Sequence, residues 1–448
     1  NDGWVTFWKE EAIMIQVGFG VGDITPRPGM QIPGGFHKHI SKGVLEPLLA
    51  VACVLNDGHA TVALVGIDSV AVTKETVRQA RQLIEKETKI PADHILIGAS
   101  HTHSGGPVIG TAGSDLDPVY TEILARGIAA AVGQAWRTLH AAEVGIGTGK
   151  EDTIAFNRRF LMRDGREITH PGKPGTPHHH EIVAAAGPVD PEVGVIAARV
   201  PGGKVLGVVV HFGCHSTVVN GDFFSPDYPG YLRKHLKAHY GESTPVVFLL
   251  GPCGDITQVD NRSTAVEFGV EYADLMGRKL AAETIRTIGR MAWSSDVPVA
   301  AAAVAPKLSV RPDPDPVREK PSFGLGSAWD PEYAKERTIL ATMRQTNPEL
   351  ECEVQGISIG PLGIATNGAE FFCEYGLRIK KCSPFPTTWV VSLANEYIGY
   401  VTTANGFVAG GYEPRTARSS RMAIDTGQKL VECALEVLGR LKKPVNST

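Results

Sequence analysis

Short, unbroken apolar runs alternate along the chain with longer stretches whose apolar positions recur every three or four residues. Residues 60–68 (ATVALVGID) form a branched apolar run closed by a Gly-Ile-Asp turn, which predicts a buried strand. Residues 73–88 predict a helix, with Val77, Ala80, Leu83 and Ile84 on one face, Thr73 as N-cap and Pro91 beyond its end. A second strand follows at 94–100 (HILIGAS), then a glycine-rich loop and a helix over residues 119–139. The same grammar returns at 205–212 (VLGVVVHF) and 245–251 (PVVFLLG), with a helix over 263–288. Further strands are predicted near 298–310, 352–367 and 388–394, and helices near 369–381 and 422–442.

This order predicts an α/β fold of mixed β-sheets with flanking helices, at least one sheet being partly parallel. No repeat of fixed period appears. Residues 163–193 are crowded with Gly, Pro and His, and 311–322 (RPDPDPVREKPS) resemble a stiff connection. Long loops inside a compact domain commonly serve as site lids. Residues 1–448 are therefore read as a single domain, with the first ~12 residues a tail or tag.

Composition narrows the function classes. Of 448 residues, 43% are hydrophobic and 21% charged, which excludes a disordered chain. Lys+Arg 44 against Asp+Glu 48 gives a net charge of -4, so nothing recommends nucleic acid or an anionic membrane as partner. No run approaches the ~20 apolar residues of a transmembrane segment. Seven cysteines without CxxC spacing indicate neither a zinc knuckle nor a disulfide framework. Their odd number, and the lack of a visible signal segment, slightly favour a cytoplasmic setting. Nothing in the sequence excludes a homo-oligomer.

Candidate chemistry gathers directly after the apolar strands. His101, Thr102, His103 and Ser104 follow the strand at 94–100, Cys214 and His215 follow 205–212, and Gly254 to Thr257 follow 245–251. Ligands of open α/β sheets bind beyond strand carboxyl ends, so three strands delivering polar residues there mark a site. His101 and His103 would share one side of an extended segment. That suits a metal ligand beside an acid–base or oxyanion donor; it equally suits two hydrogen-bonded loop histidines.

With these residues in place, the chain resembles the neutral (non-lysosomal) ceramidases, specifically their N-terminal catalytic domain. The resemblance is carried in order by Gly18 to Pro26 (GFGVGDITP), Ala99 to Gly106 (ASHTHSGG), Asn157-Arg158, His215-Ser216-Thr217 and Gly254 to Thr257 (GDIT). Ala369-Glu370, Gly376-Leu377-Arg378, Asn395 to Thr403 (NEYIGYVTT) and Tyr412-Glu413 continue it. It implies a zinc ion, Zn2+, held by His101, His215, Glu370 and Tyr400. It also implies that His103, Arg158 and Tyr412 contact the reacting carbonyl. Thr257, a further catalytic candidate, stands where the family has serine, with Gln258 rather than proline after it. The family's C-terminal β-sandwich domain is expected to be lacking. The implied activity is zinc-dependent hydrolysis of an amide or ester with a small-molecule or lipid-like acyl substrate. Alternatives are a small polar amide, ester or lactone as substrate, or a metal-dependent binding protein without catalysis.

Glu370 falls at a predicted helix start, where a carboxylate can also serve the helix dipole. Glu396 is a competing carboxylate near Tyr400. His178, His179 and His180 lie in a Pro/Gly loop and are read as unliganded. The 50 glycines are expected to cluster at the site, with Gly18, Gly20, Gly22, Gly105, Gly106, Gly213, Gly251, Gly254, Gly410 and Gly411 flanking its segments.

Overall fold

The computed structural model describes residues 14–442 apart from residues 36, 112 and 313–329. The expected N-terminal tail and residues 313–322 of the expected connection lie outside the described residues.

Three four-stranded units with the same connectivity build the fold. The first contains β1 (Gln16–Asp23), β2 (Leu49–Asn56), β3 (Thr61–Ile67) and β4 (Ile95–Ala99). The second contains β5 (Glu143–Lys150), β6 (Glu192–Arg199), β7 (Val205–Phe212) and β8 (Val246–Leu250). The third contains β9 (Val299–Val304), β10 (Val354–Ile359), β11 (Leu362–Thr366) and β12 (Thr387–Val391). In each, the first three strands run antiparallel and the fourth pairs parallel to the third. A parallel neighbour requires a crossover, and a helix supplies it each time. These crossovers are α1 (Lys74–Thr88), α3 (Tyr228–Tyr240) and α6 (Cys373–Cys382); α2 (Pro118–Arg137) and α4 (Val270–Ile288) follow β4 and β8. Later elements are α5 (Asp330–Thr346), α7 (Ala404–Ala409) and α8 (Thr426–Lys442).

Residues from all three sheets meet in one apolar cluster, including Phe19, Leu64, Val209, Leu249, Ile364 and Trp389. The strand ends are laced together by backbone hydrogen bonds. Ala99 N donates to Leu393 O at 3.1 Å, Ser392 N to Leu250 O at 2.9 Å, and Gly254 N to Phe371 O at 2.9 Å. The carboxyl ends of the three parallel pairs therefore converge, which is the geometry the polar motifs require.

Several expectations need correction. The glycines of β1 serve packing rather than the site. A Cβ at Gly18, Gly20 or Gly22 would lie 2.0, 2.0 and 2.1 Å from the carbonyl oxygens of Ala135, Ala131 and Gly127 in α2. Gly20→Ala is thus expected to destabilise the fold by about 1–3 kcal/mol, measured by denaturant unfolding, because neither backbone can yield cheaply. The helix expected from 263 begins at Val270, after Gly269 at φ +94°. The run at 298–310 splits into β9 and a separate strand Lys307–Ser309, and 352–367 is the β10–β11 hairpin, with Gly360 at φ +51°. The loop-like 163–193 stretch contributes Glu167–Thr169 and Ile182–Ala185, both paired with Arg159–Met162.

Candidate active site

Local backbone chemistry aims each proposed group. His101 follows β4 with φ +63°, so the His101–His103 segment is kinked rather than extended, correcting the sequence expectation. This left-handed conformation is uncommon for a residue with a Cβ and tends to persist where surrounding structure enforces it. His101 Nδ1 lies 2.6 Å from Val70 O, His103 Nδ1 3.0 Å from Gly34 O, and His215 Nδ1 2.6 Å from Cys253 O. A carbonyl only accepts, so each Nδ1 carries a proton, and in the neutral ring each Nε2 presents a lone pair. Those lone pairs converge: the three histidines form a group whose ligand atoms lie within 4.8 Å of one another.

Glu370 joins this group from a strand, not from a helix start. Ala369–Phe371 pairs in parallel with Gly399–Val401, placing Glu370 directly opposite Tyr400, while α6 begins only at Cys373. Glu370 Oε2 lies 3.3 Å from His101 Nε2 and 3.4 Å from His215 Nε2, and it has no hydrogen-bond donor. Tyr400 OH is 3.5 Å from His215 Nε2. His101, His215, Glu370 and Tyr400 are all buried. Imidazole nitrogens and a carboxylate oxygen crowded this closely, with Glu370 Oε2 lacking any donor, are a set that a cation could satisfy. The nitrogen and oxygen donors fit zinc.

Arg158 forms the cationic wall. Its Nε donates to Glu413 Oε1 at 2.9 Å, and Nη2 donates to Gly254 O at 2.7 Å and Tyr400 OH at 3.2 Å. Nη1 lies 3.3 Å from His215 Nε2. Burial works against the Arg158 charge, but Tyr400 and Glu413 outweigh it and raise the guanidinium above its ordinary value. Burial, then Arg158 and His101, push the His215 imidazole down to about 4. Burial followed by His101 and His215 holds His103 well below its usual range. Burial opposes ionisation of Glu370, yet His101 and His215 keep its carboxyl well below the ordinary range. Burial and the Glu370 charge raise the Tyr412 phenol.

The ring centroids of Tyr400 and Tyr412 lie 5.7 Å apart, edge to face, with the Arg158 guanidinium 5.6 and 5.9 Å from them. His103 and Tyr412 are only partly buried and form the more open side of the cluster. The structure thus brings together His101, His103, His215, Glu370, Tyr400, Arg158 and Tyr412. Thr257 is buried nearby, on the bridge that pairs Ile256 with Asn157, but its hydroxyl donates to Gln258 Oε1 at 3.0 Å. Glu396 points elsewhere, accepting from Glu353 N.

Three residues escaped the sequence reading as functional candidates. Glu413 and Arg159 anchor Arg158, with Arg159 Nη1 donating to Glu413 Oε2 at 2.6 Å. Tyr397 OH donates to Glu370 Oε1 at 2.9 Å. The only available signal was their place inside or beside the quoted motifs.

This mixed α/β architecture is shared with solved ceramidase structures. One is a ceramidase complexed with C2; another is the neutral ceramidase from Pseudomonas aeruginosa. Each superposes with a TM-score of 0.73 at 16% sequence identity over 97% of this chain, covering 77% and 76% of those chains respectively. Neither a protein-family model nor a curated protein sequence matches the chain. The likeness establishes the fold. No helix among the described residues is long and apolar enough to cross a membrane.

Proposed function

We propose that the protein is a zinc-dependent hydrolase that cleaves an amide or ester bond of an acyl substrate, as ceramidases do. The observation that carries this reading is the set of imidazole lone pairs and the donor-free Glu370 Oε2 meeting beside Arg158. His101, His215, Glu370 and Tyr400 would hold the ion, which supplies Lewis-acid activation of water and carbonyl when bound. His103, fixed through Gly34 O, keeps an unprotonated Nε2 that can take a proton from the attacking water and return it to the leaving group. Arg158 places a fixed positive charge where the carbonyl oxygen becomes negative, and protonated Tyr412 donates a hydrogen bond there. With its hydroxyl held by Gln258, Thr257 is assigned no step.

A second reading, a small polar amide, ester or lactone as substrate, rests on Thr257 standing where the family has serine. A separate cavity, touching none of the cluster residues, lies beside Tyr397. Its volume is about 560 Å³, and Lys74, Glu396 and Arg421 line it together with Ile109, Leu116 and Ile398.

The test is turnover of a long-chain ceramide and of a short, water-soluble amide, before and after metal removal by a chelator. Activity lost on chelation and restored by Zn2+ is the expected result. Full activity in a preparation without stoichiometric metal would sink the proposal, and the ratio of the two rates chooses between substrates.

A further inference from the structure

We infer that Tyr397 is a positioning residue for the metal carboxylate, an inference that rests on the metal-dependent reading above. A carboxylate accepts through either oxygen, and an unanchored one can rotate or offer both. Here the two oxygens of Glu370 are differentiated. The Tyr397 hydroxyl is the donor to Oε1, since an ionised carboxylate has no proton to give. Oε2 is left without a donor, facing the Nε2 atoms of His101 and His215.

Tyr397 is itself held in place. Its backbone carbonyl accepts from Arg421 Nη2, and the next residue, Ile398, donates its N–H to Gly368 O at 2.8 Å. Its side chain forms part of the wall of the 560 Å³ cavity while its hydroxyl reaches Glu370. By holding Oε1, the phenol would leave Oε2 as the oxygen offered to a metal. Groups that orient metal ligands in this way typically govern metal affinity by 10–100-fold.

The experiment compares wild-type protein with Tyr397→Phe, which keeps the ring and removes the donor. Zinc affinity is measured by competition with a chromogenic chelator, and the visible spectrum of the Co2+-loaded protein reports coordination. Thermal unfolding of the metal-free protein reports structure. The expected result is about 10–100-fold weaker zinc binding, a less intense Co2+ spectrum as Oε1 becomes free to bind, and unchanged unfolding of the metal-free form. Equal affinity and an identical spectrum in the two proteins would overturn the inference. So would weaker binding with an unchanged spectrum and a lower unfolding temperature, which marks a merely structural tyrosine. Absence of stoichiometric metal from wild type would instead overturn the functional reading beneath it.

Discussion

His101→Asn is expected to lose stoichiometric zinc and to lower kcat/KM by at least about 10³-fold, since Lewis-acid assistance is worth several kcal/mol. Asparagine is the informative replacement. His101 sits at φ +63°, where a plain alanine would add backbone strain to the loss of the ligand. Asparagine tolerates the left-handed conformation better, so the variant isolates the lost imidazole. Its shorter side chain cannot span from the backbone to the point where the Nε2 atoms of His215 and His103 converge. Elemental analysis of the purified variant and its unfolding midpoint should be measured together. Metal loss with a near-normal midpoint supports the assignment, whereas full metal content would remove His101 from the ligand set.

Why that residue was legible in the sequence, and others were not, follows from where the information lies. Strands β3, β4, β7 and β8 are buried on both faces, so they read as continuous apolar runs, and the polar residues just beyond them stand out. β1 and β5 are just as regular but carry alternating glycines. Gly18, Gly20 and Gly22 admit the backbone of α2, while Gly145, Gly147 and Gly149 face Met291, Thr287 and Glu283 at the end of α4 and just beyond. Glycine lowers strand propensity, so close helix packing hid both strands from a reading by pattern. The same packing explains why the glycine-rich N-terminal segment belongs to the scaffold.

Glu370 illustrates a different limit. The three-residue pair Ala369–Phe371 and Gly399–Val401 is too short to show a period, yet it sets Glu370 opposite Tyr400. The threefold recurrence of the sheet unit was invisible as well. It exists in connectivity, through α1, α3 and α6, and not in a repeated sequence period. Roles set wholly by distant contacts, such as Glu413 meeting Arg158 across 255 positions, leave no local trace.

Glu413→Gln should be the most destabilising single substitution near the site, costing about 3–5 kcal/mol at neutral pH. Glu413 is fully buried and bridges two guanidiniums: Arg158 Nε at 2.9 Å and Arg159 Nη1 at 2.6 Å, with Thr169 Oγ1 donating at 2.8 Å. Glutamine keeps the shape but leaves Arg158 without its carboxylate partner and Arg159 with Glu167 alone. Burial alone would raise the Glu413 carboxyl, but Arg159 and Arg158 outweigh it and hold it down to about 2. Because the folded value lies below the unfolded value of ~4.3, its contribution is complete above that pH and is lost as pH falls toward 2. The stability gap between wild type and variant should therefore be constant near neutrality and narrow below about pH 4, as the carboxylate's advantage is lost. Glu167→Gln, at the partly exposed outer side of Arg159, is expected to lose much less. Catalysis supplies a second readout: an unanchored Arg158 should lower kcat by roughly 10²-fold, the effect of misplacing one oxyanion donor. A pH-independent stability gap would show that Glu413 acts through packing rather than charge, and unchanged kcat would remove Arg158 from the reacting group.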